Sequence, residues 1–511
     1  MYCFKIYLLF VLFSFCVVFF LTSCLDGSGS SEGSVNFPTF ADVSDEVGIG
    51  DVVGLGQTAA WGDFNGDGCQ DLIVANADVG SSFRNVFLFK NNCNGKFSDV
   101  TAGSGILDLP LRSAAWADFN NDGFLDLVVG TIMAGAPPIL YKNQGGGIFD
   151  DVSLEAGITK EGGIVGHTIW VDYDRDGWVD LFQANETFVV ESFLYHNEGD
   201  GTFKEVSEGS GLGEFNITNS AIWFDFNNDG FPDLFLANKG LNKLYLNNGN
   251  GTFTDITDDA QVGGDPEWNS VAACVGDFNG DALFDLYVVN ISSAVRNALY
   301  MNNGGETFTD VTEETETGDI GDGRTCAWVD FDGDGRIDLF TTNHTNPSRL
   351  FRNLGNGRFV DVADQVGLDL PTDVFAATWG DYNNDGFMDV FLNGHIGMQK
   401  PLMENSGTQN NFLIIKLIGT GQTTKTSAIG TRVEVSTSSG IQIREVSGGR
   451  GCCEQDMLPI HFGVGGVRIV DILVKWTSGE ECHFEDEDVE GGSIFQISEE
   501  GCSLVPHTHD R

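Results

Sequence analysis

Aspartate recurs in this sequence at a spacing that suits a hard divalent cation. Nine-residue segments begin at residues 63, 118, 172, 225, 277, 330 and 381, reading DFNGDGCQD, DFNNDGFLD, DYDRDGWVD, DFNNDGFPD, DFNGDALFD, DFDGDGRID and DYNNDGFMD. Each carries a carboxylate or carboxamide at positions 1, 3, 5 and 9, and calcium takes six to eight oxygen ligands at flexible distances. The expected side-chain ligands of the first three loops are Asp63, Asn65, Asp67 and Asp71; Asp118, Asn120, Asp122 and Asp126; and Asp172, Asp174, Asp176 and Asp180. Those of the next two are Asp225, Asn227, Asp229 and Asp233, then Asp277, Asn279, Asp281 and Asp285. The last two loops offer Asp330, Asp332, Asp334 and Asp338, then Asp381, Asn383, Asp385 and Asp389. A backbone carbonyl at position 7 would complete each set, at Cys69, Phe124, Trp178, Phe231, Leu283, Arg336 and Phe387. Position 12 is never Glu, so the loop closes on the Asp at position 9 and runs on into a strand.

A plain Asx turn needs one Asp or Asn and a Gly. Three carboxylates crowded together seven times repel one another unless a cation intervenes. Magnesium, with its strict octahedral geometry, suits such all-protein cages poorly. Up to seven structural calcium ions are therefore expected, and seven divalent ions would bring the formal charge from −49 to −35. Loops 172–180 and 330–338 should bind tightest, because Asp174 and Asp332 add a carboxylate. Loop 277–285 should be weakest, because Ala282 stands where the others have Gly and a Cβ at positive φ costs about 1–2 kcal/mol.

The loops must be held by a repeated element. An aromatic lies two residues before the first Asp at Trp61, Trp116, Trp170, Trp223, Trp328 and Trp379, with Val275 the exception. After each loop come two β-rich runs, such as 233–238 and 244–248, then a Gly-Asn-Gly turn into Phe253-Thr254-Asp255-Ile256. Turn chemistry and period-2 runs give four short strands per unit, repeated seven times, which predicts an all-β fold with a seven-bladed β-propeller. The fourth-strand motif occurs at Phe40, Phe97, Phe149, Phe203, Phe253, Phe308 and Phe359, so one copy precedes the first loop and none follows the last. Residues 37–43 should therefore supply the outer strand of the unit at 376–404, closing the ring and protecting its edge. The tryptophans are read as packing between blades.

On connections opposite the acidic loops, His344 and His395 lie six residues beyond the last Asp of their loops, Glu186 and Lys239 share that register, and His167 precedes its blade's first strand. These five residues mark a possible ligand face, with solvated loop residues as the plain alternative. Cys69 and Cys93 fall on one face of one blade and form a possible disulfide. Cys274 and Cys326, on inner strands of neighbouring blades, read equally well as buried thiols. Adjacent Cys452 and Cys453 lack the spacing of a zinc site.

Residues 1–24 read as an export signal: Lys5, an apolar run from Ile6 to Leu21, then Leu21-Thr22-Ser23-Cys24. The last four residues resemble a bacterial lipobox with Cys24 as the lipidated residue; cleavage near Ser23 or an uncleaved anchor are the alternatives. Residues 25–36 are a Gly/Ser tether. Eight cysteines remain beyond the signal, an even number that fits disulfides in an oxidising space. The net charge of −49 excludes electrostatic attraction to nucleic acid or anionic lipid, leaving the membrane only through the N-terminal lipid or anchor.

The D-x-[DN]-x-D-G-x-x-D loops between Trp-bearing strands resemble the FG-GAP or VCBS repeats of calcium-binding propellers, assigned here to residues 37–408. Residues 409–497 are similar to the ASPIC/UnbV domain of the cartilage acidic protein family, through Ile429-Gly430-Thr431-Arg432-Val433, Arg444-Glu445-Val446-Ser447-Gly448-Gly449, His461-Phe462-Gly463-Val464-Gly465 and Val474-Lys475-Trp476-Thr477-Ser478-Gly479. The Cys452-Cys453 pair departs from that pattern. Strand-like runs at 412–418, 431–436, 441–446, 467–476 and 493–497 predict a small β-sandwich there, followed by a tail at 498–511.

No Gly-x-Ser-x-Gly, phosphate-binding Gly loop or His-Glu-x-x-His occurs. The expected function is that of an exported, calcium-stabilised binding or adhesion protein at the cell surface, as an outer-membrane lipoprotein or secreted, contacting an extracellular protein or glycan. The rival is an exported enzyme of polysaccharide lyase or hydrolase type using the histidine face.

Overall fold

The innermost strands of the repeats hold no charged residue beyond their first two positions, and alternate small residues with one large aromatic, as in β2 (Gly56–Gly62) and Leu111–Ala117. Such strands are buried on both faces, and they form the hub of a ring in the computed structural model of the chain. The structure describes residues 37–80, 83–160, 163–213, 216–292, 294–370, 373–394, 400–421 and 427–506. The export segment, Cys24 and the tether lie outside the described residues.

The first sheet orders β2, β3 (Asp71–Asn76), β4 (Val86–Asn91) and β5 (Phe97–Asp99) from hub to rim, all antiparallel. Five further four-stranded sheets repeat this order, starting at Leu111, Val165, Thr218, Ser270 and Gly323. In the seventh, Val374–Gly380, Asp389–Gly394 and Leu402–Asn405 are joined on the rim by β1 (Phe40–Asp42), Phe40 pairing with Asn405. Both ends of the repeat region thus share one sheet, and the innermost strand of each sheet packs on the next until Val374–Gly380 meets β2. This is the architecture of a β-propeller, closed as the displaced Phe40 motif requires.

Tryptophan stitches the sheets together. The indole Nε1 of Trp61 donates to Thr378 O (3.1 Å), that of Trp116 to Ala60 O (3.3 Å) and that of Trp170 to Ala115 O (3.1 Å), each reaching back to the preceding innermost strand. A Cβ on Gly62 would lie 2.7 Å from Trp116, so the close approach of those strands needs glycine there.

Beyond Asn405 the chain builds two more four-stranded sheets. One orders Ile460–Gly465, Asn411–Ile418, Ser493–Ser498 and Ser503–Pro506, with a parallel pair at its centre; the other orders Gly440–Glu445, Arg432–Thr437, Ile469–Lys475 and Glu481–Asp488. Alternating residues such as Leu413, Ile415, Val433, Val435, Ile472, Val474, Phe495 and Ile497 meet between them in one apolar core. The sequence reading of a tail from 498 needs correction: Ser503–Pro506 pairs with Ser493–Ser498, and Cys502 is disulfide-bonded to Cys482.

Residues 37–511 form one compact unit, and the C-terminal sandwich caps the ring on its acidic-loop side. Lys416 Nζ lies 3.5 Å from Asp63, Arg175 Nε donates to Thr477 O (2.8 Å), and Asn410 Nδ2 donates to Asp332 O (2.8 Å). Phe412 sits so close to Gly386 that a Cβ there would lie 1.8 Å from the ring.

From this cap, residues 447–457 descend into the ring and touch all seven innermost strands. Trp170 N donates to Gly448 O, Gly451 N to Ala273 O, and Ser220 Oγ to Gly451 O. Thr58 Oγ1 donates to Cys453 O (2.5 Å), Trp116 N to Gln455 Oε1 (2.7 Å), and Arg450 to Cys326 O (2.6 Å) and Ala377 O (2.9 Å). The hub is therefore filled by a plug supplied from the other domain.

Candidate metal centres and the two faces of the ring

Every acidic loop bridges the first and second strands of its sheet, and its fold follows from its own Asp side chains. At position 1 the carboxylate accepts the amides of positions 5 and 6: Asp118, for example, takes Asp122 N at 3.0 Å and Gly123 N at 2.7 Å. At position 5 it accepts the amide of position 7, as Asp122 does from Phe124 N at 3.1 Å. Position 6 is left-handed throughout, and Ala282 holds φ 65° there, which is the strained backbone expected of loop 277–285. Position 4 is left-handed too, at Asn121, Arg175, Asn228 and Asn384, a demand hidden by the tolerance of Asn for that region.

The Asp at position 9 is the buried member of each set. Asp71, Asp126, Asp180, Asp233, Asp285, Asp338 and Asp389 are at most 1% exposed. Burial, reinforced by the other loop carboxylates, pushes Asp71, Asp126 and Asp285 up to about 8 and Asp233 up to about 9. A buried carboxyl beside two others either holds a proton or faces a cation. The donor set is all oxygen, hard and anionic, and that chemistry fits calcium. In loops 172–180 and 330–338, Asp172, Asp174 and Asp176, and Asp330, Asp332 and Asp338, each lie with ligand oxygens within 4.8 Å of one another.

Two residues per sheet that belong to this centre escaped the sequence reading. Asn91, Asn143, Asn197, Asn247, Asn302, Asn353 and Asn405 end the third strands. The backbone amide of each donates to the position-9 Asp at 2.7–2.8 Å. The side-chain Nδ2 of each crosses to a carbonyl in the preceding sheet's loop, as Asn143 does to Phe64 O at 2.8 Å. Sevenfold recurrence of Asn after an apolar strand was the available signal. Asn143→Ala strands buried carbonyls on two sheets and is expected to cost about 2–3 kcal/mol, read as a lowered denaturant midpoint at unchanged slope.

In five of the sheets the residue before this asparagine contacts the loop. In the third sheet it is His196, whose Nδ1 lies 3.4 Å from Asp174 and 3.3 Å from Asp180. In the sixth it is Arg352, bonded to Asp332 at 2.6 Å and Asp334 at 2.8 Å. The extra carboxylates expected to make these two loops tightest are thus already ion-paired.

Cys69 and Cys93 are disulfide-bonded. In four other sheets position 7 puts an aromatic over a turn glycine, as Phe231 does over Gly249 and Trp178 over Gly199; in the first sheet the cystine takes the place of that contact. Cys274 and Cys326 are also bonded, which settles the open choice against buried thiols. Cys452 and Cys453, in the plug, are free and buried.

The residues of the possible ligand face lie at the ends of strands opposite the loops, each with its own partner. His167 is buried in the hub, accepts Ala221 N at 3.4 Å, and is pushed down to about 3 by burial. Glu186 pairs with Arg112, His344 with Asp373, and Lys239 bridges to Asn269 through its backbone. His395 lies outside the described residues. No two of these side chains bond each other among the described residues. On the opposite side a cavity of about 490 Å³ lies under the cap, lined by Asp172, Asp225, Arg432, Glu434, Lys475 and others.

The fold and the loops together define a class. The FG-GAP-like repeat family matches residues 63–129, 172–236, 225–288, 277–341 and 330–392, more than half of the sequence, and an FG-GAP repeat matches 111–148. The chain belongs to the FG-GAP-like repeat family. Its cap matches the ASPIC and UnbV family over residues 421–503. Among named proteins it is similar to cartilage acidic protein 1. It is 25% identical to the human protein over 475 residues, 87% of this chain and 63% of that one, and 28% identical to the mouse protein over 298 residues, 55% and 44% respectively. The chain thus spans less than two thirds of the length of these relatives. The solved structure "YCF48 bound to D1 peptide" aligns with a TM-score of 0.43 at 9% identity, covering 73% of this chain and 96% of that one.

Proposed function

We propose that the chain is an exported, calcium-stabilised binding protein that presents the face remote from its cap to an extracellular protein or glycan. Three disulfides among the described residues fit an oxidising compartment. The acidic loops fit structural calcium, which would fix one loop conformation and supply no reaction. One observation carries the binding reading. On the uncapped face, the connections between second and third strands of four consecutive sheets leave Val79, Met133, Phe188, Val189 and Leu241 between 45% and 80% exposed. Exposed apolar side chains repeated along one rim mark an interaction surface. Partnered histidines on that same face favour binding over catalysis.

The test is binding of the full chain to a glycan array and to purified extracellular-matrix proteins, in calcium and in chelator. A ligand retained in calcium should be lost at least tenfold by the double change Phe188→Asp and Val189→Asp, with the melting temperature unchanged. Turnover of a polysaccharide that disappears with His344→Ala would instead establish the enzyme reading.

A further inference from the structure

The tip of the plug carries two nucleophilic side chains that neither the acidic loops nor the uncapped face employs. Arg450 and Glu454 bridge in antiparallel fashion, and Gly451, Cys452 and Cys453 make the turn between them. Gly451 is left-handed at φ 60°, and Cys453 takes φ 96°. The turn sets the two thiols side by side, with their Sγ atoms 3.8 Å apart. Cys453 Sγ also lies 2.9 Å from Gly166 O; for Cys452 Sγ the neighbouring sulfur is the one hydrogen-bonding partner among the described residues.

Three innermost strands hold this turn in shape. Ser220 Oγ donates to Gly451 O, Thr58 Oγ1 to Cys453 O at 2.5 Å, and Cys452 N to Thr325 Oγ1 at 3.3 Å. Around the sulfurs the packing is apolar, with Val271, Ala272 and the Cys274–Cys326 bond in the same cluster. The other six described cysteines are spent in three disulfides, so this pair is what remains for an oxidising compartment to act on. Cys452 is 5% exposed and Cys453 1%, out of reach of an oxidant once the plug is seated.

We propose that Cys452 and Cys453 are a disulfide site: in the exported chain the two sulfurs close a bond to each other before the plug enters the ring, and docking then seals that bond in the hub. The inference rests on the reading of the chain as exported. The thiolate of one cysteine attacks the disulfide of a dithiol–disulfide oxidant and displaces one of its sulfurs. The second cysteine's thiolate then attacks the mixed disulfide, joins Cys452 Sγ to Cys453 Sγ and frees the oxidant. Two thiol protons and two electrons pass to the oxidant, which leaves as a dithiol. The Cα atoms of adjacent residues stand about 3.8 Å apart, short of the usual disulfide span of about 4.4–6.8 Å, so the small ring is strained and easily reduced in an open chain. Burial in the hub supplies the protection that the ring geometry withholds. The bond pins the turn that aims the Gly451 and Cys453 carbonyls at Ser220 and Thr58.

Peptide mass spectrometry on the exported full chain reads the bond. The tryptic segment 451–468 holds no cysteine besides Cys452 and Cys453. Denatured with a maleimide and no reductant, it should stay unlabelled and weigh two hydrogens less than its reduced form; after reduction it should take a label on each cysteine. In the native chain a phosphine reductant should open Cys69–Cys93, whose Cys93 is exposed, while segment 451–468 keeps its bond. Labels on 451–468 without reduction, beside intact Cys69–Cys93, Cys274–Cys326 and Cys482–Cys502, overturn the proposal and leave export standing. So does a segment 451–468 linked to that of Cys274 or Cys326. Labels on all of these cysteines without reduction overturn the oxidising compartment and the proposal together. Opening of the 451–468 bond in the native chain as fast as Cys69–Cys93 overturns its sealing by the hub.

Discussion

Removal of divalent cations is expected to lower the melting temperature of the chain by on the order of 10 °C, and millimolar calcium to restore it. A site with a dissociation constant near 10 μM contributes roughly 2.7 kcal/mol at 1 mM ion, so a few such sites account for a shift of that size. The structure supplies the reason. Each position-9 Asp is buried with one oxygen on the third-strand Asn amide, so a loop that loses its ion keeps its carboxylates crowded at the seam between two sheets. The effect has a pH signature. In the metal-free chain, Asp233 and Asp285 are raised to about 9 and about 8 from an ordinary value of 3.8. Between about pH 4 and pH 8 the folded chain then holds protons that the unfolded chain has released, so unfolding free energy falls as pH rises through that window. Calcium should flatten the slope, because the ion takes the proton's place. Calorimetry in chelator and in calcium at pH 5 and pH 8 reads both effects. Identical melting in the two buffers would remove the structural role of the loops.

The ring was legible because its signals are local and repeated. Seven Asp-rich loops, a Trp two residues before nearly every one, and a Phe40 motif displaced to the front of the chain dictate the strand order and the closure, and the structure bears out both. The third-strand Asn was in view but reads as a turn residue; its bond to the preceding sheet exists only once the ring is built. The partners of two loop carboxylates were hidden for the same reason. Asp174 and Asp332 look like extra ligands in a nonapeptide, but His196 and Arg352 come from a strand about 20 residues further on, and only the fold sets them face to face. Least legible was the plug. Residues 447–457 have no strand period and include three glycines and two cysteines, which in sequence resembles a surface loop. Their partners are scattered from Thr58 to Trp379.

Arg450→Ala is expected to destabilise the chain by about 3–5 kcal/mol and to loosen the cap from the ring. The guanidinium bonds Glu454 at 2.7 Å, Asp456 at 2.5 Å, and carbonyls of two different innermost strands, while Glu454 in turn accepts from Thr325 Oγ1 and Ala377 N. Glu454 is fully buried, and burial already pushes its carboxyl up to about 8 against the pull of Arg450. Deleting the arginine leaves an acid in the hub with no counter-charge, and that cost falls on the plugged state alone. The plug therefore backs out rather than the ring opening, because the sheets keep their Trp and Asn bridges. Limited proteolysis separates the outcomes: the variant should be cut between 405 and 411, where the last propeller strand gives way to the cap, and should melt in two transitions instead of one. Adding Glu454→Gln to Arg450→Ala replaces the buried acid with a neutral amide that needs no counter-charge and should recover part of the loss. A single variant that melts like the parent, in one transition and without new cleavage, would mean that the cap is held by its contacts with the acidic loops, with the hub residues as passengers.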